Sequence, residues 1–182
     1  MKKKFACFLA FLPMFCLSQS NLVKNGGFES ELNFWRGENG TVSTYVKKSG
    51  KSALNINQFT GQQWNGYDQI LALPENCFAV EIRAWVKTDA VEGGKEAYNA
   101  AVVTTAFATA SEKNISYESI AAVLGTTEWT QYKKLVKIPQ GAKKLRLMLA
   151  LAQTNGSVFF DDIKIVAVSE ENYNKSTDSN SQ

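Results

Sequence analysis

The side chains able to do chemistry in this 182-residue chain are few. It has no histidine, which removes Ser-His-Asp and Cys-His nucleophiles, His-ligated zinc and imidazole acid–base work. Of the three cysteines, Cys7 and Cys16 fall in the first twenty residues, leaving Cys77 alone in the remainder. One thiol makes no internal disulfide and no cysteine-based metal site. The informative acids are Glu29 near the start and the adjacent pair Asp161-Asp162 near the end. Carboxylates in apolar segments are costly to bury unpaired. In a fold whose two ends meet they can share a cation, and calcium takes such hard oxygen ligands. The alternative is that the aspartates are exposed or paired with lysines. Glycoside hydrolysis would need two acids facing each other at roughly 5–10 Å. Neighbours on one strand point to opposite faces, and no Glu-x-Asp-x-x-Glu triplet occurs.

Aromatic rings supply the other chemistry, as flat apolar surfaces for the C–H faces of sugars. Trp35, Trp64, Tyr67, Trp85, Phe107 and Trp129 are the candidates. Trp64 stands apart because it lies in Gly61-Gln-Gln-Trp-Asn-Gly-Tyr-Asp-Gln, among amides and glycines. Trp64 and Tyr67 are therefore expected to be the leading ligand residues. Trp85 shares a strand face with Glu81, Arg83 and Lys87, which suggests partial exposure. Trp35 and Trp129 are expected to pack. Arg146 and Gln153 lie opposite a leucine-lined face and offer several donors to hydroxyl groups.

The chain starts with three lysines and an apolar run from Phe5 to Leu17. This pattern reads as a secretory signal peptide over residues 1–20, too short for a transmembrane span. The expected location is outside the cytoplasm: secreted, periplasmic or at the cell surface. The 20 basic residues then lose Lys2, Lys3 and Lys4 and balance the 17 acidic ones. A global attraction to nucleic acid is not expected.

Positioning falls to strands, because the hydrophobic period is two. Phe78, Val80, Ile82, Ala84 and Val86 alternate with polar neighbours, as do Leu145, Leu147, Leu149 and Leu151. Tyr132, Lys134, Val136 and Ile138 form a third such face, and Phe159, Ile163 and Ile165 a fourth. Further strands are expected over 41–46, 52–59, 67–73, 98–108 and 117–124, separated by Gly- and Asn-containing turns. Many short strands of this kind predict an all-β sandwich or barrel. Two alanine-rich runs, 100–110 and 120–124, carry helical propensity, but Val102, Val103, Thr104 and Thr105 pull the first toward strand. Residues 169–182 are polar, with no apolar face to bury, and are expected to form a disordered tail.

The order of motifs adds a family expectation. Asn25-Gly-Gly-Phe-Glu is followed by Trp35, Ser49-Gly-Lys-Ser, Glu128-Trp-Thr-Gln-Tyr and Phe160-Asp-Asp-Ile. This arrangement resembles the family 4 and 9 carbohydrate-binding modules over residues 21–168. The resemblance implies a jelly-roll β-sandwich of the galactose-binding type that binds a polysaccharide or oligosaccharide without catalysis. It implies a structural calcium ion held by Glu29, one aspartate of the terminal pair (Asp161 is favoured) and backbone oxygens near Ser49–Lys51, with Lys51 among them. It places a ligand tryptophan near Trp64 and a second aromatic on a central strand, here Phe107. Implied associates are glycan-degrading enzymes or cell-surface components. The rival readings are a surface adhesion or protein-interaction module on the same fold, or a small glycan hydrolase or lyase.

Overall fold

The computed structural model describes residues 20–61 and 63–178. Residues 1–19, and so nearly all of the expected signal peptide, lie outside them. Ten strands run β1 (Arg36–Gly37), β2 (Gly40–Ser43), β3 (Ala53–Gln58), β4 (Trp64–Ala72), β5 (Ala79–Val91), β6 (Ala101–Ala108), β7 (Asn114–Val123), β8 (Gly125–Lys137), β9 (Lys144–Ala152) and β10 (Gly156–Val168). They form two five-stranded antiparallel sheets. The first has the order β1-β4-β9-β6-β7, the second β2-β3-β10-β5-β8. The alanine-rich runs are strands. The first pairs on both sides, with β7 and β9, and the second lies on the edge strand β7 paired to β6, and that pairing outweighs local propensity.

Between the sheets lies one core. Val80, Ile82, Ala84 and Val86 of β5 meet the four leucines of β9 and Phe107 of β6, all fully buried or nearly so. On β10 the inward residues are Phe160, Ile163 and Ile165 rather than Phe159. The expected alternation fails because the register shifts between Asp161 and Lys164, with Asp162 at a positive φ of 50°. A bulge adds one residue and reverses which side chains face inward.

The two ends of the fold meet. Asn21 bridges to β10: its Nδ2 donates to the Ile163 carbonyl and its Oδ1 accepts the Ile165 N–H. Gly26 lies so close that a Cβ there would sit 2.1 Å from the Ile163 carbonyl oxygen. Phe28 is buried and stacks on Trp35, with ring centres 5.3 Å apart. The Trp35 indole donates to the Asn25 carbonyl, so this ring packs as expected.

The tail departs from expectation. Glu170–Asp178 forms a helix, α1. Ser169 caps it through the Asn172 N–H, two glutamates occupy its first turn, and Glu171 pairs with Lys175 one turn later. Tyr173 packs edge-on against Phe78 at 5.3 Å. One aromatic contact and a good cap thus order a segment that composition alone assigned to disorder.

Candidate functional site

The outward face of the first sheet follows from its registers as a set of rows crossing the strands. One row joins Gly66, Ala150, Val102 and Ala122. The next joins Arg36, Asp68, Met148, Thr104 and Ser119, and the next Ile70, Arg146, Ala106 and Tyr117. Trp64 stands at one end, opposite Ala152. The middle strands contribute short side chains. Ala100, Val102, Ala150 and Ala152 form a small buried apolar cluster of their own on this side. Large residues stand at the margins: Trp64 is 47% exposed and Tyr117 65%.

A cavity of about 180 Å³ lies beside Trp64, lined also by Arg36, Gly37, Gly66, Tyr67, Asp68, Arg146 and Met148. A second, of about 160 Å³, continues from Arg146 to Ile70, Ala108, Lys144, Glu112 and Asn114. The polar groups here are organised. Asp68 accepts from both arginines, Arg146 at 3.0 Å and Arg36 on its other oxygen. The Thr104 hydroxyl is buried on this face and has no hydrogen-bond partner among the described residues. The Tyr117 hydroxyl accepts from Asn114. From strand spacing and rise, Trp64 and Tyr117 stand about 25 Å apart on the diagonal.

The expected ligand residues divide. Trp64 and Arg146 line the same cavity, and Gln153 is exposed at the adjoining strand end, its N–H donating to the Gln63 carbonyl. Tyr67 faces the other way: it is 6% exposed, with its hydroxyl against the Gly40 backbone. Three residues separate it from Trp64, and an odd spacing on a strand puts two side chains on opposite faces. Phe107 is completely buried between the sheets, so no ligand reaches it. Trp85 is half-buried on the outward face of the second sheet, covered by the Lys48 ammonium 4.1 Å from the ring centre. The expectation that Phe107 and Trp85 join Trp64 in one site is therefore corrected, whereas Tyr67 borders the Trp64 cavity although its ring is buried. Arg36, Asp68 and Met148 line that cavity as well, and Thr104 and Tyr117 lie in the neighbouring rows. The usable signal was strand parity around Trp64 and Arg146.

Glu29 and Asp161 come together on the second sheet's side. Asp161 pairs across from Trp85 and is fully buried under the loop 47–51. Its Oδ2 accepts the Lys48 and Ser49 N–H groups at 2.8 and 2.9 Å. Burial pushes its carboxyl above the ordinary value, against the pull of those hydrogen bonds. Glu29 accepts the Lys51 N–H through both oxygens. Gly27 sits between the two acids: a Cβ there would lie 3.8 Å from Asp161 Oδ1 and 3.9 Å from Glu29 Oε1. The two carboxylates are oxygen donors of the kind calcium takes, and in this structure all four of their oxygens accept backbone N–H groups, Asp161 Oδ1 from Asp162. Asp162 turns outward to Lys164 at 2.9 Å. No group of three or more His, Cys, Asp or Glu is assembled among the described residues, so any cation here would also need backbone oxygens. A larger groove of about 590 Å³ lies next to Glu29, but Leu32, Val42, two threonines and Ser52 line much of it and no aromatic ring does. Cys77 is half-buried, its Sγ–H donates to the Ala79 carbonyl, and burial raises its thiol.

The chain is thus a two-sheet β-sandwich with one sheet face bearing an exposed tryptophan among small and polar residues. The family described as a carbohydrate binding domain, which unites families 4 and 9, matches residues 20–156, and the chain belongs to it. The match ends where β10 begins, so Asp161 lies beyond it. Solved structures share the fold. A family 16 carbohydrate-binding module aligns with TM-score 0.57 and 18% identity over 80% of this chain and 99% of its own. TmCBM61 in complex with beta-1,4-galactotriose aligns with TM-score 0.53 and 18% identity over 82% of this chain and 99% of that one. The enzymatically active domain of bacteriophage CBA120 tailspike protein 4 gives 0.64 and 14% identity over 81% of this chain, which spans only 21% of that protein. No curated protein matches the chain.

Proposed function

We propose that this chain is an exported, non-catalytic module that binds a polysaccharide or oligosaccharide along the outward face of the first sheet. Trp64 carries the reading: a large ring half in solvent on a sheet face, beside a cavity with charged and apolar walls. Its indole stacks on one sugar, Tyr117 meets a more distant unit, and Arg36 and Arg146 serve hydroxyl groups between them. Asp68 is engaged on both oxygens by arginines, which suits positioning better than proton transfer. Calcium belongs to the same reading as a structural ion, held by Glu29, Asp161 and backbone oxygens of the 47–51 loop. It ties the N-terminal segment to β10, away from the sugar. The test is retardation of the purified protein in gels containing β-glucans, xylans, mannans, galactans or algal polysaccharides, with Trp64→Ala and Tyr117→Ala alongside. The expected result is retardation by one glycan class, lost in a folded Trp64→Ala and weakened in Tyr117→Ala. Binding that survives Trp64→Ala unchanged would refute the assignment of this face.

A further inference from the structure

We propose that the glycan carries an anionic group, a uronate carboxylate or a sulfate ester, which docks between Arg36 and Arg146 beside Trp64. The proposal rests on the reading of this face as the glycan site. Two guanidinium groups share one carboxylate here. Each Asp68 oxygen takes one arginine, and Asp68 itself is 13% exposed while the arginines are 60% and 49% exposed. A guanidinium has five N–H donors, and each arginine uses only part of that set on Asp68 while lining the cavity, so two positive charges share one negative one. Fork-shaped donors of this kind match the paired oxygens of a carboxylate or sulfate.

The surroundings do not cancel that charge. Arg146 lines both cavities of the face. Lys144 and Glu112 pair at 2.8 Å at the far end and neutralise each other. The Lys144 hydrogen bond is the main cause that holds the Glu112 carboxyl below its ordinary value. Beyond Ile70, a further cavity of about 410 Å³ brings Lys24 over the Phe34 ring, another cation on the same side. A neutral sugar would leave the surplus charge unmatched beside an aromatic wall. An anionic sugar completes it.

Two matched pairs of polymers test this: polygalacturonate against its carboxyl-reduced form, and a sulfated galactan against its desulfated form. Titration of the purified protein should show at least about tenfold tighter binding to the anionic member of one pair, and that pair identifies the group. The advantage should shrink as salt rises. Arg36→Gln and Arg146→Gln should each remove most of it, weakening binding to the anionic member more than binding to the neutral one. Lys133→Gln, on the outward face of the other sheet, should change nothing. Equal binding of both members, still abolished by Trp64→Ala, would overturn the anion proposal and leave the glycan face standing. Equal weakening by Lys133→Gln would overturn it as diffuse attraction to a polyanion. Failure of every polymer, charged and neutral, would overturn the glycan face and the anion proposal together.

Discussion

Phe107 and Trp64 should behave as opposites when each is cut to alanine. Phe107 is fully enclosed among the β9 leucines and the inward residues of β5 and β10. Its removal leaves a cavity the core cannot fill, at a cost of about 3–5 kcal/mol. For a domain of this size that corresponds to a melting temperature lower by roughly 6–20 °C. Glycan affinity of the surviving folded fraction should hardly move, because the ring never meets the cleft. Trp64 is half in solvent at a strand end. Its removal should cost about 1 kcal/mol of stability or less, but lower affinity by an order of magnitude or more, as loss of an anchoring aromatic does. Thermal melts and glycan titration on the same two preparations measure both quantities. The reasoning fails if Phe107→Ala loses binding while keeping its melting temperature, since that ring would then have to face ligand. It fails equally if Trp64→Ala melts far lower than the parent.

Calcium should raise the melting temperature and a chelator lower it, with about 2.7 kcal/mol gained at a hundredfold excess over Kd. Glu29→Gln and Asp161→Asn should abolish that response, and a melt indifferent to calcium in the parent would end the calcium reading. Gly50→Ala should disrupt the same loop: φ is +60° and its Cβ would fall 1.9 Å from Glu29 Oε1, whereas Gly61 at φ +84° has open space. Melts of both variants should show Gly50→Ala losing more than Gly61→Ala, which suffers only the backbone strain of about 1 kcal/mol; equal losses would contradict the loop contact. Glu81 gives a pH dependence. Burial acts to raise its carboxyl, but hydrogen bonds and charge from Lys133 and Arg83 outweigh it and hold the group below the usual range. A lowered folded value contributes stability above the ordinary carboxylate range, lost as pH falls through the folded value. Denaturation from pH 7 to pH 3 should therefore lose less stability in Glu81→Gln than in the parent, and identical profiles would remove Glu81 from the account.

The fold was legible because one rule, alternation, is obeyed by most of its strands. The leucines of β9 and the small apolar residues of β5 all point inward as their spacing requires. The site was only half legible for the same reason. β6 is apolar on both faces, with Ala101, Val103 and Phe107 inward and Val102, Ala106 and Ala108 outward. Nothing in composition tells which side of such a strand is the core, so Phe107 could be assigned to either. Trp64 and Tyr67 separate only once β4 is known to begin at Trp64 rather than at Tyr67, because three residues then reverse the strand face. The acids show the opposite limit. Alternation alone puts Phe159 and Ile163 together, and the bulge at Asp161-Asp162 breaks that pattern. Yet the same bulge leaves Asp161 beneath the 47–51 loop, facing Glu29 across Gly27, while Asp162 turns to Lys164. A local irregularity that defeats a periodic reading is thus what separates two identical neighbouring side chains into a buried carboxylate and a surface ion pair. The Asp-Asp pair in the sequence therefore carried more information than either aspartate alone.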